Sequence, residues 1–190
     1  MSVALNHLKG RSAAPRDAAG EDFSKLAAHP FLQGMARRHL QLLLNSAMSM
    51  SFDGGQLIFS EGDLANRFYL IECGEVALEA DAGCGRSVLI GTLGPGEVLG
   101  WSWLFPPYYW RFSARTLQPT RAMFFYGTRL RQQCEEDHAF GYELIKRVAA
   151  VAIARLHATR GQLLEEYHEL ERIRSAAGLA VKKKNAGQRE

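Results

Sequence analysis

The chain has 190 residues, of which 47% are hydrophobic and 23% charged, and its formal net charge at pH 7 is +3. This composition is that of an ordinary folded domain, and the length allows one hydrophobic core with an appendage. So small a positive charge does not by itself indicate a nucleic-acid-binding protein. The three cysteines form no Cys-x-x-Cys pair, so neither a disulfide framework nor a zinc site is indicated, and a reducing cytoplasm is expected.

The N-terminal part of the chain predicts an arm followed by a helix. It lacks the apolar run of a signal peptide. No stretch of the chain has the uninterrupted run of about 18 apolar residues that a membrane-spanning helix needs. Residues 1–22 are rich in Ala, Gly and Ser, which predicts a disordered arm. Apolar residues such as Leu40, Leu43 and Leu44 repeat at helical spacing and predict a helix at 31–47.

Residues 48–126 alternate short apolar segments with turn residues, a pattern that is typical of antiparallel strands. Residues 67–80 read as two strands hinged at a glycine, and residues 82–85 as the loop of the next hairpin. We also expect the strands 111–117 and 121–126 to pair with each other. Strands this short, separated by turns about every ten residues, predict a small β-barrel or jelly roll.

The C-terminal part of the chain has helical periodicity, which predicts helices at 128–137 and 139–173. The second of these carries a heptad seam, and its distal half has no core left to cover, so we expect it to form a homodimer. Thr159 and Glu166 lie on the same seam and weaken it. The expected contact residues are Ile145, Ala149, Ala152, Leu156, Leu163 and Leu170. The tail at 175–190, with Lys182–Lys184, predicts a basic disordered end.

One stretch, Gly94–Thr116, holds all three tryptophans of the protein. It carries no charge from Val98 to Trp110, and Arg111 then follows. Aromatic residues at this density more often form core than a ligand site. A loop lined with aromatic side chains and followed by a cation is nevertheless the best pocket candidate in the sequence.

Three motifs resemble the cyclic nucleotide-binding domain of the catabolite activator (cAMP receptor) and fumarate-nitrate regulator superfamily. They are Phe52-Asp-Gly-Gly-Gln-Leu-Ile-Phe-Ser-Glu-Gly-Asp63, Arg67-Phe-Tyr-Leu-Ile-Glu-Cys-Gly-Glu-Val-Ala-Leu78 and Gly94-Pro-Gly-Glu-Val-Leu-Gly100. The resemblance implies a mainly β (α+β) fold, a double-stranded β-helix jelly roll with an N-terminal helix and a long C-terminal dimerisation helix. The implied division is a disordered arm at 1–22, the jelly-roll domain with flanking helices at 23–137, the dimerisation helix at 138–174 and a basic disordered tail at 175–190.

The resemblance also implies where a ligand would bind. In the family, the N-terminus of a short helix meets the cyclic phosphate, a glutamate holds the ribose, and an arginine about ten residues on pairs with the phosphate. Here Trp101 stands at the glutamate position, and either Arg111 or Trp110 takes the arginine position, depending on a one-residue register. The implied ligand residues are Gly96, Glu97, Leu99, Gly100, Trp101, Ser102, Trp110, Arg111, Phe112, Ser113, Thr159 and Arg160.

Two functions follow as hypotheses. The first is a non-catalytic bacterial-type sensor that binds a cyclic nucleotide or another small anion and signals through an unidentified partner protein. The second is an interaction module whose pocket is filled, or whose surface is formed, by aromatic side chains. These are Trp101, Trp103, Tyr108, Tyr109 and Trp110.

Other functions are not expected. A metal-dependent jelly-roll enzyme would need clustered histidines, and the histidines of this chain lie outside the predicted strands, so we expect neither a metal nor catalysis. The residues after Ile173 are too few for a helix-turn-helix module, so we do not expect nucleic-acid binding. Because an indole cannot accept the hydrogen bond of a ribose hydroxyl, cAMP is expected to bind weakly or not at all, and Trp101→Glu to improve binding.

Overall fold

The computed structural model describes the backbone of residues 16–186 and the side chains of residues 22–175. Two helices and a single 3-10 turn precede the strands: α1 at Arg16–Ala28, the turn at Pro30–Leu32 and α2 at Arg37–Leu44. The eight strands are β1 Met48–Phe52, β2 Leu57–Phe59, β3 Arg67–Cys73, β4 Val76–Asp81, β5 Ser87–Leu93, β6 Val98–Leu99, β7 Ser113–Thr116 and β8 Thr120–Tyr126. Helix α3 spans Gly127–Glu136 and α4 spans His138–Ala186.

The N-terminal helix predictions were wrong in two respects. The single helix expected at 31–47 is divided, because Gly34 takes the left-handed φ of +72° and ends the 3-10 turn before α2 begins. Helix α1 was not predicted, and it begins within the stretch 1–22 that was expected to be an arm. Residues 1–15 of that arm lie outside the described residues.

The C-terminal helices begin close to their predicted positions, but α4 is longer than expected. It continues to Ala186, into the tail that we expected to be disordered from residue 175. Residues 187–190 lie outside the described residues. The chain divides into two compact units, residues 1–143 and residues 144–190, and the described residues of the second unit form the distal part of α4. Within the described residues, no helix is both long enough and apolar enough to cross a membrane.

The strands form two four-stranded antiparallel sheets, with the orders β1-β8-β3-β6 and β2-β7-β4-β5. The predicted jelly roll at 48–126 is confirmed, since β1 begins at Met48 and β8 ends at Tyr126. The expected pairing of 111–117 with 121–126 was wrong. Strand β7 pairs with β2 and β4, whereas β8 pairs with β1 and β3. Except for the hairpin β4–β5, consecutive strands lie in opposite sheets, and each sheet covers the apolar inner face of the other.

The interior between the two sheets is largely aromatic. Because side chains alternate along a strand, β3 directs Tyr69 and Ile71 into this interior and Phe68 toward the opposite face. There Phe68 packs on Phe31 of the 3-10 turn, with 5.4 Å between the ring centroids. The buried interior cluster comprises Phe52, Phe59, Ala65, Tyr69, Ile71, Val76, Leu78, Leu93, Leu99, Trp110, Phe112, Ala114, Ala122 and Phe124.

Candidate functional site

The candidate site lies in residues 94–113, called the cassette below, which connects β5 to β7. It opens with a turn in which the carboxylate of Glu97 accepts a hydrogen bond from the Gly94 N–H at 2.7 Å. The N–H of Gly96 donates to the carbonyl of Ile71 at 2.9 Å, which attaches the turn to β3. The carboxylate of Glu97 therefore closes a turn, and its side chain is exposed.

A short 3-10 helix at Trp101–Leu104 follows β6, and Gly100 is its N-cap residue. Gly100 has the left-handed φ of +83°, and a Cβ atom there would lie 2.8 Å from Cη2 of Trp110. Only glycine allows the Trp110 ring to lie this close to the backbone. Next to Gly100, Leu99 and Ser102 are both buried.

The loop after the short helix is fixed by backbone hydrogen bonds to the segment 62–65. The Ala65 N–H donates to the carbonyl of Tyr108 at 2.6 Å. The Trp110 N–H donates to the carbonyl of Asp63, and the Gly62 N–H donates to the carbonyl of Trp110, both at 2.9 Å. These contacts determine which side chains of the loop face the interior, because the backbone direction at Trp110 is fixed on both sides.

Trp110, and not Arg111, points into the barrel. Trp110 is 3% exposed, and its ring stacks on Phe59 with 3.9 Å between centroids and an interplanar angle of 13°. Arg111 is exposed, and Phe112 is buried in the same interior cluster as Trp110. Ser113 lies in β7, and its hydroxyl oxygen accepts a hydrogen bond from the Glu61 N–H at 2.9 Å. The register that brings Trp110 inward is thus the one adopted.

The other four aromatic residues of the predicted set, which were expected either to fill the pocket or to form an outer surface, do not join that interior cluster. Trp103 is fully buried, but it packs on Phe68, with 5.9 Å between centroids, on the opposite face of β3. Trp101 is half-buried, and Tyr109 is exposed. The ring of Tyr108 lies 4.4 Å from the guanidinium carbon of Arg131. Trp110 alone of the five predicted aromatic residues fills the interior.

Sequence reasoning missed a cation at the end of the barrel. The guanidinium carbon of Arg67 lies 5.3 Å from the ring centroid of Phe124 and 6.0 Å from that of Tyr126. Burial raises the pKa of the Tyr69 hydroxyl, and a hydrogen bond with Arg67 opposes that rise. The available signal was the period of two along β3, which directs Arg67 to the same face as Tyr69.

The remaining predicted site residues belong to the second unit. Thr159 and Arg160 lie on α4, and the side chains of both are exposed. Of the expected dimer residues, Ile145, Ala149, Leu156, Leu163 and Leu170 are exposed and Ala152 is half-buried. Among the residues whose side chains are described, no group of three or more His, Cys, Asp or Glu is arranged to hold a metal ion.

The fold and the cassette define the class of protein, namely a jelly-roll domain with a cassette that begins with glycines and connects its fifth and seventh strands. The chain belongs to the cyclic nucleotide-binding domain family, whose profile matches residues 49–137. It is 26% identical over 140 residues to a CRP-like cAMP-activated global transcriptional regulator of Mycobacterium tuberculosis (strain CDC 1551 / Oshkosh). That alignment covers 74% of this chain and 61% of the regulator, so the chain spans about three fifths of this relative's length.

Solved structures support the same assignment. A Geobacter metallireducens GS-15 structure, described as that of a cyclic nucleotide-binding protein, is 30% identical with a TM-score of 0.64. The match covers 70% of this chain and 97% of the Geobacter chain. A cyclic nucleotide-binding domain from Methylobacillus flagellatus KT shares the fold, with a TM-score of 0.69 at 17% identity over 78% of this chain and 85% of that one.

Proposed function

We propose that this chain is a non-catalytic regulatory protein that acts through contacts with a partner protein, and whose barrel interior is closed by Trp110 instead of accepting a cyclic nucleotide. Membership of the cyclic nucleotide-binding domain family, with a transcriptional regulator among its relatives, supports the regulatory role. The free cysteines Cys73, Cys84 and Cys134 agree with a cytoplasmic location.

The observation that carries the proposal is the burial of Trp110 against Gly100 and Phe59. Because Trp110 is buried and Arg111 is exposed, we assign to Trp110 the position of the arginine that pairs with the cyclic phosphate in the family. An indole has a single N–H donor and no positive charge. Loss of a hydrogen bond to a charged group costs about 1.5–3 kcal/mol, which lowers affinity roughly ten- to a hundredfold.

The residue at the position of the family's ribose-binding glutamate also supports an interior that does not accept a cyclic nucleotide. Trp101 stands there, and its half-buried ring packs edge-on against Phe105, with 6.4 Å between centroids. An indole cannot accept the hydrogen bond of a sugar hydroxyl. Both polar anchors of the family's ligand are therefore replaced by aromatic surface, which supports an interior closed to cyclic nucleotides.

Exposed apolar side chains next to the cassette support a protein partner. Leu64 and Tyr109 form a β-bridge with each other, and both side chains are exposed. Phe105 is exposed on the same loop. Because the loop is held by backbone hydrogen bonds, these side chains are presented at little entropic cost, as in binding hot spots.

The test is isothermal calorimetry of the full chain with cAMP, cGMP and cyclic dinucleotides, together with tryptophan fluorescence, since all three tryptophans lie in the cassette. We expect no binding. The matched control is Arg111→Ala, which removes the exposed cation and leaves Trp110 in place. Submicromolar cAMP affinity that disappears in this control would mean that the cassette binds phosphate through Arg111, and the proposal would be wrong.

A second candidate function, a sensor of another small anion, is favoured by one observation. The indole Nε1 atoms of Trp101 and Trp103 are buried without a hydrogen-bond partner among the described residues. A buried donor without a partner lowers the stability of the folded chain by about 1–3 kcal/mol. If the site opens locally, an acceptor on a ligand would bind the donor and remove that cost. In thermal shift assays with small carboxylates and phosphates, a sensor would gain stability that Trp101→Phe abolishes, because phenylalanine keeps a ring without the donor.

We also propose a homodimer through α4, as the heptad seam predicts. Exposed Leu156, Leu163 and Leu170 support it, since isolated helices rarely expose large apolar side chains at regular spacing without a partner. Replacing Leu156 and Leu163 with Asp brings charge into the seam and should give monomers in light scattering. A double variant that remains dimeric would mean that the interface lies elsewhere.

A further inference from the structure

A cavity of about 330 Å³ lies outside the barrel, between the outer face of the sheet β1-β8-β3-β6 and the N-terminal helical elements. Because side chains alternate along a strand and Ala122 belongs to the interior cluster, its neighbours Arg121 and Met123 point to the outer face. The opposite wall is formed by the end of α1 and the start of the 3-10 turn, where Lys25 and His29 lie. None of the aromatic side chains of the interior cluster lines this cavity, so it is separate from the barrel interior.

Arg121 is a cation that is held in place at the wall of the cavity. Its Nε donates a hydrogen bond to the Glu72 carboxylate at 2.8 Å, and this ion pair fixes the orientation of the guanidinium. The Nη groups of Arg121 form no hydrogen bond with any described residue. A guanidinium presents its N–H donors in a planar fork that matches a carboxylate, and Glu72 engages only the Nε side of that fork. Arg121 can therefore bind a second carboxylate without losing its ion pair.

His29 contributes a donor that the fold leaves without a partner. The residue is 8% exposed, and its Nδ1 accepts a hydrogen bond from the Phe31 N–H at 3.3 Å. Because burial lowers the pKa of His29, its ring is neutral at pH 7, and the proton lies on Nε2. The nearby Ile71 carbonyl raises that pKa by less, but it accepts the Gly96 N–H at 2.9 Å and forms no hydrogen bond of ordinary geometry with Nε2. The buried Nε2 thus has no partner among the described residues, and an acceptor on a ligand would supply one.

The charges and the volume of the cavity define the class of ligand. Lys25 and Arg121 are cationic and Glu72 is anionic, so the wall has one positive charge that is not balanced within it. A ligand cation would be repelled, and a dianion such as hydrogen phosphate would leave a negative charge unbalanced. Met123 and Pro30 give the cavity an apolar wall. At about 30 Å³ for each water-sized group, the cavity holds roughly ten such groups, which is the size of a benzoate ion.

We propose that this cavity binds a small monocarboxylate with a compact apolar body. The carboxylate accepts hydrogen bonds from the Nη groups of Arg121 and from the Lys25 ammonium group and, after a small shift of the 3-10 turn, from His29 Nε2. The apolar body packs on Met123. Because Gly96 of the cassette also lines the cavity, the bound ligand contacts both the cassette and the N-terminal helical elements. The inference does not depend on whether the barrel interior is closed to cyclic nucleotides.

Methionine methyl NMR of the full chain, titrated with benzoate as the probe, tests where the ligand binds. Met123 lies in the wall of the cavity, whereas Met50 packs against the interior cluster. Met50 pairs with Ala122, the neighbour of Met123, so the two methionines are close in the sheet but face opposite ways. The Met123 resonance, assigned with Met123→Leu, should shift and saturate with a millimolar or lower dissociation constant, and the Met50 resonance should stay in place. No shift of Met123 on the order of tens of millimolar benzoate, or an equal shift of Met50, would overturn the proposal.

Neutral variants test the individual contacts. Arg121→Gln and Lys25→Gln should each weaken benzoate binding about tenfold, because each removes a charge-assisted hydrogen bond. His29→Asn should weaken it about threefold, since asparagine keeps an acceptor for the Phe31 N–H but places no donor at the position of Nε2. Benzamide, which has a neutral amide in place of the carboxylate, should leave the Met123 resonance unchanged.

The matched control is Arg115→Gln. Arg115 also lies on a strand and also pairs through Nε with a glutamate, Glu79 at 3.7 Å, but it belongs to the other sheet and does not line the cavity. This variant should bind benzoate as the unmodified chain does. An equal loss of affinity in Arg115→Gln and Arg121→Gln would assign the effect to net charge and overturn the proposal. Unchanged affinity in both Arg121→Gln and Lys25→Gln would overturn it as well.

Discussion

The indole of Trp110 lies parallel to the ring of Phe59 inside the barrel, with 3.9 Å between the two centroids. The ring of Trp110 also covers Gly100, the residue that begins the short helix of the cassette. This contact connects β2 with the cassette through the interior of the jelly roll. Trp110, one of the two candidates for the family's phosphate-binding arginine position, is thereby part of the hydrophobic core.

Removing the indole should therefore act on stability. Trp110→Ala leaves a large cavity beside Phe59 and should lower the free energy of unfolding by about 3–5 kcal/mol in denaturant titrations. The neighbouring Tyr109→Ala is the matched control, because Tyr109 is exposed and its truncation should cost far less. Equal losses in the two variants would contradict the burial of Trp110.

The contact between Gly100 and Trp110 can be separated from backbone strain. Gly100 and Gly55 have nearly the same left-handed φ, +83° and +78°, but a Cβ atom would meet Trp110 only at Gly100. Gly55→Ala should cost about 1–3 kcal/mol from torsional strain alone. In chemical denaturation, Gly100→Ala should lower the free energy of unfolding by more than Gly55→Ala does. The difference between the two variants should shrink in a Trp110→Leu background.

Two substitutions together should be needed to create cyclic-nucleotide binding. The sequence led us to expect that Trp101→Glu alone improves cAMP affinity, by supplying the acceptor for the ribose. Because Trp110 occupies the interior, we now expect that single variant to bind no better than the unmodified chain. Trp101→Glu/Trp110→Arg should gain measurable affinity by calorimetry, and a gain in Trp101→Glu alone would mean that Trp110 does not block the site.

Stability should fall as the pH is lowered through the range in which a free histidine titrates. Burial lowers the pKa of His29, against smaller opposing effects of the Ile71 backbone and the Glu72 carboxylate. In the unfolded chain His29 therefore binds a proton at about pH 6.5, whereas in the folded chain it does not. The stability that depends on the neutral His29 is full above that pH and is lost as the pH falls below it. His29→Asn should reduce this loss in thermal melts. Asparagine keeps an acceptor for the hydrogen bond that the Phe31 N–H donates to His29 Nδ1 at 3.3 Å. An unchanged pH dependence in the variant would assign the loss to other groups.

The cysteines should differ in reactivity. Burial, with the nearby carboxylates of Glu135 and Asp137, raises the pKa of the Cys134 thiol to about 11. Cys134 is therefore protonated at neutral pH and should react slowly with Ellman's reagent, whereas exposed Cys84 should react fast. Cys84→Ser should remove the fast phase and Cys134→Ser should leave it unchanged. A fast phase that survives Cys84→Ser would contradict this assignment.

Local patterns in the sequence were sufficient for the extent of the jelly roll. Alternating apolar residues and glycine turns are read from a few neighbouring positions, and they predicted the strands between Met48 and Tyr126. The pairing of β7 and β8 was not predictable in this way, because each strand pairs with strands that are distant along the chain. The break before α2 was missed because one left-handed glycine, Gly34, outweighed the helical spacing around it.

The sequence by itself predicted that a cassette follows β5, that Trp101 stands at the family's glutamate position, and that either Trp110 or Arg111 faces the interior. Only the tertiary structure decided between these two residues. A shift of one residue reverses the direction of every side chain on a strand, and no local pattern specifies that register. It is set by hydrogen bonds from the cassette to Gly62, Asp63 and Ala65, which lie more than forty residues earlier in the chain. Those bonds turn the indole inward and leave the guanidinium in solvent.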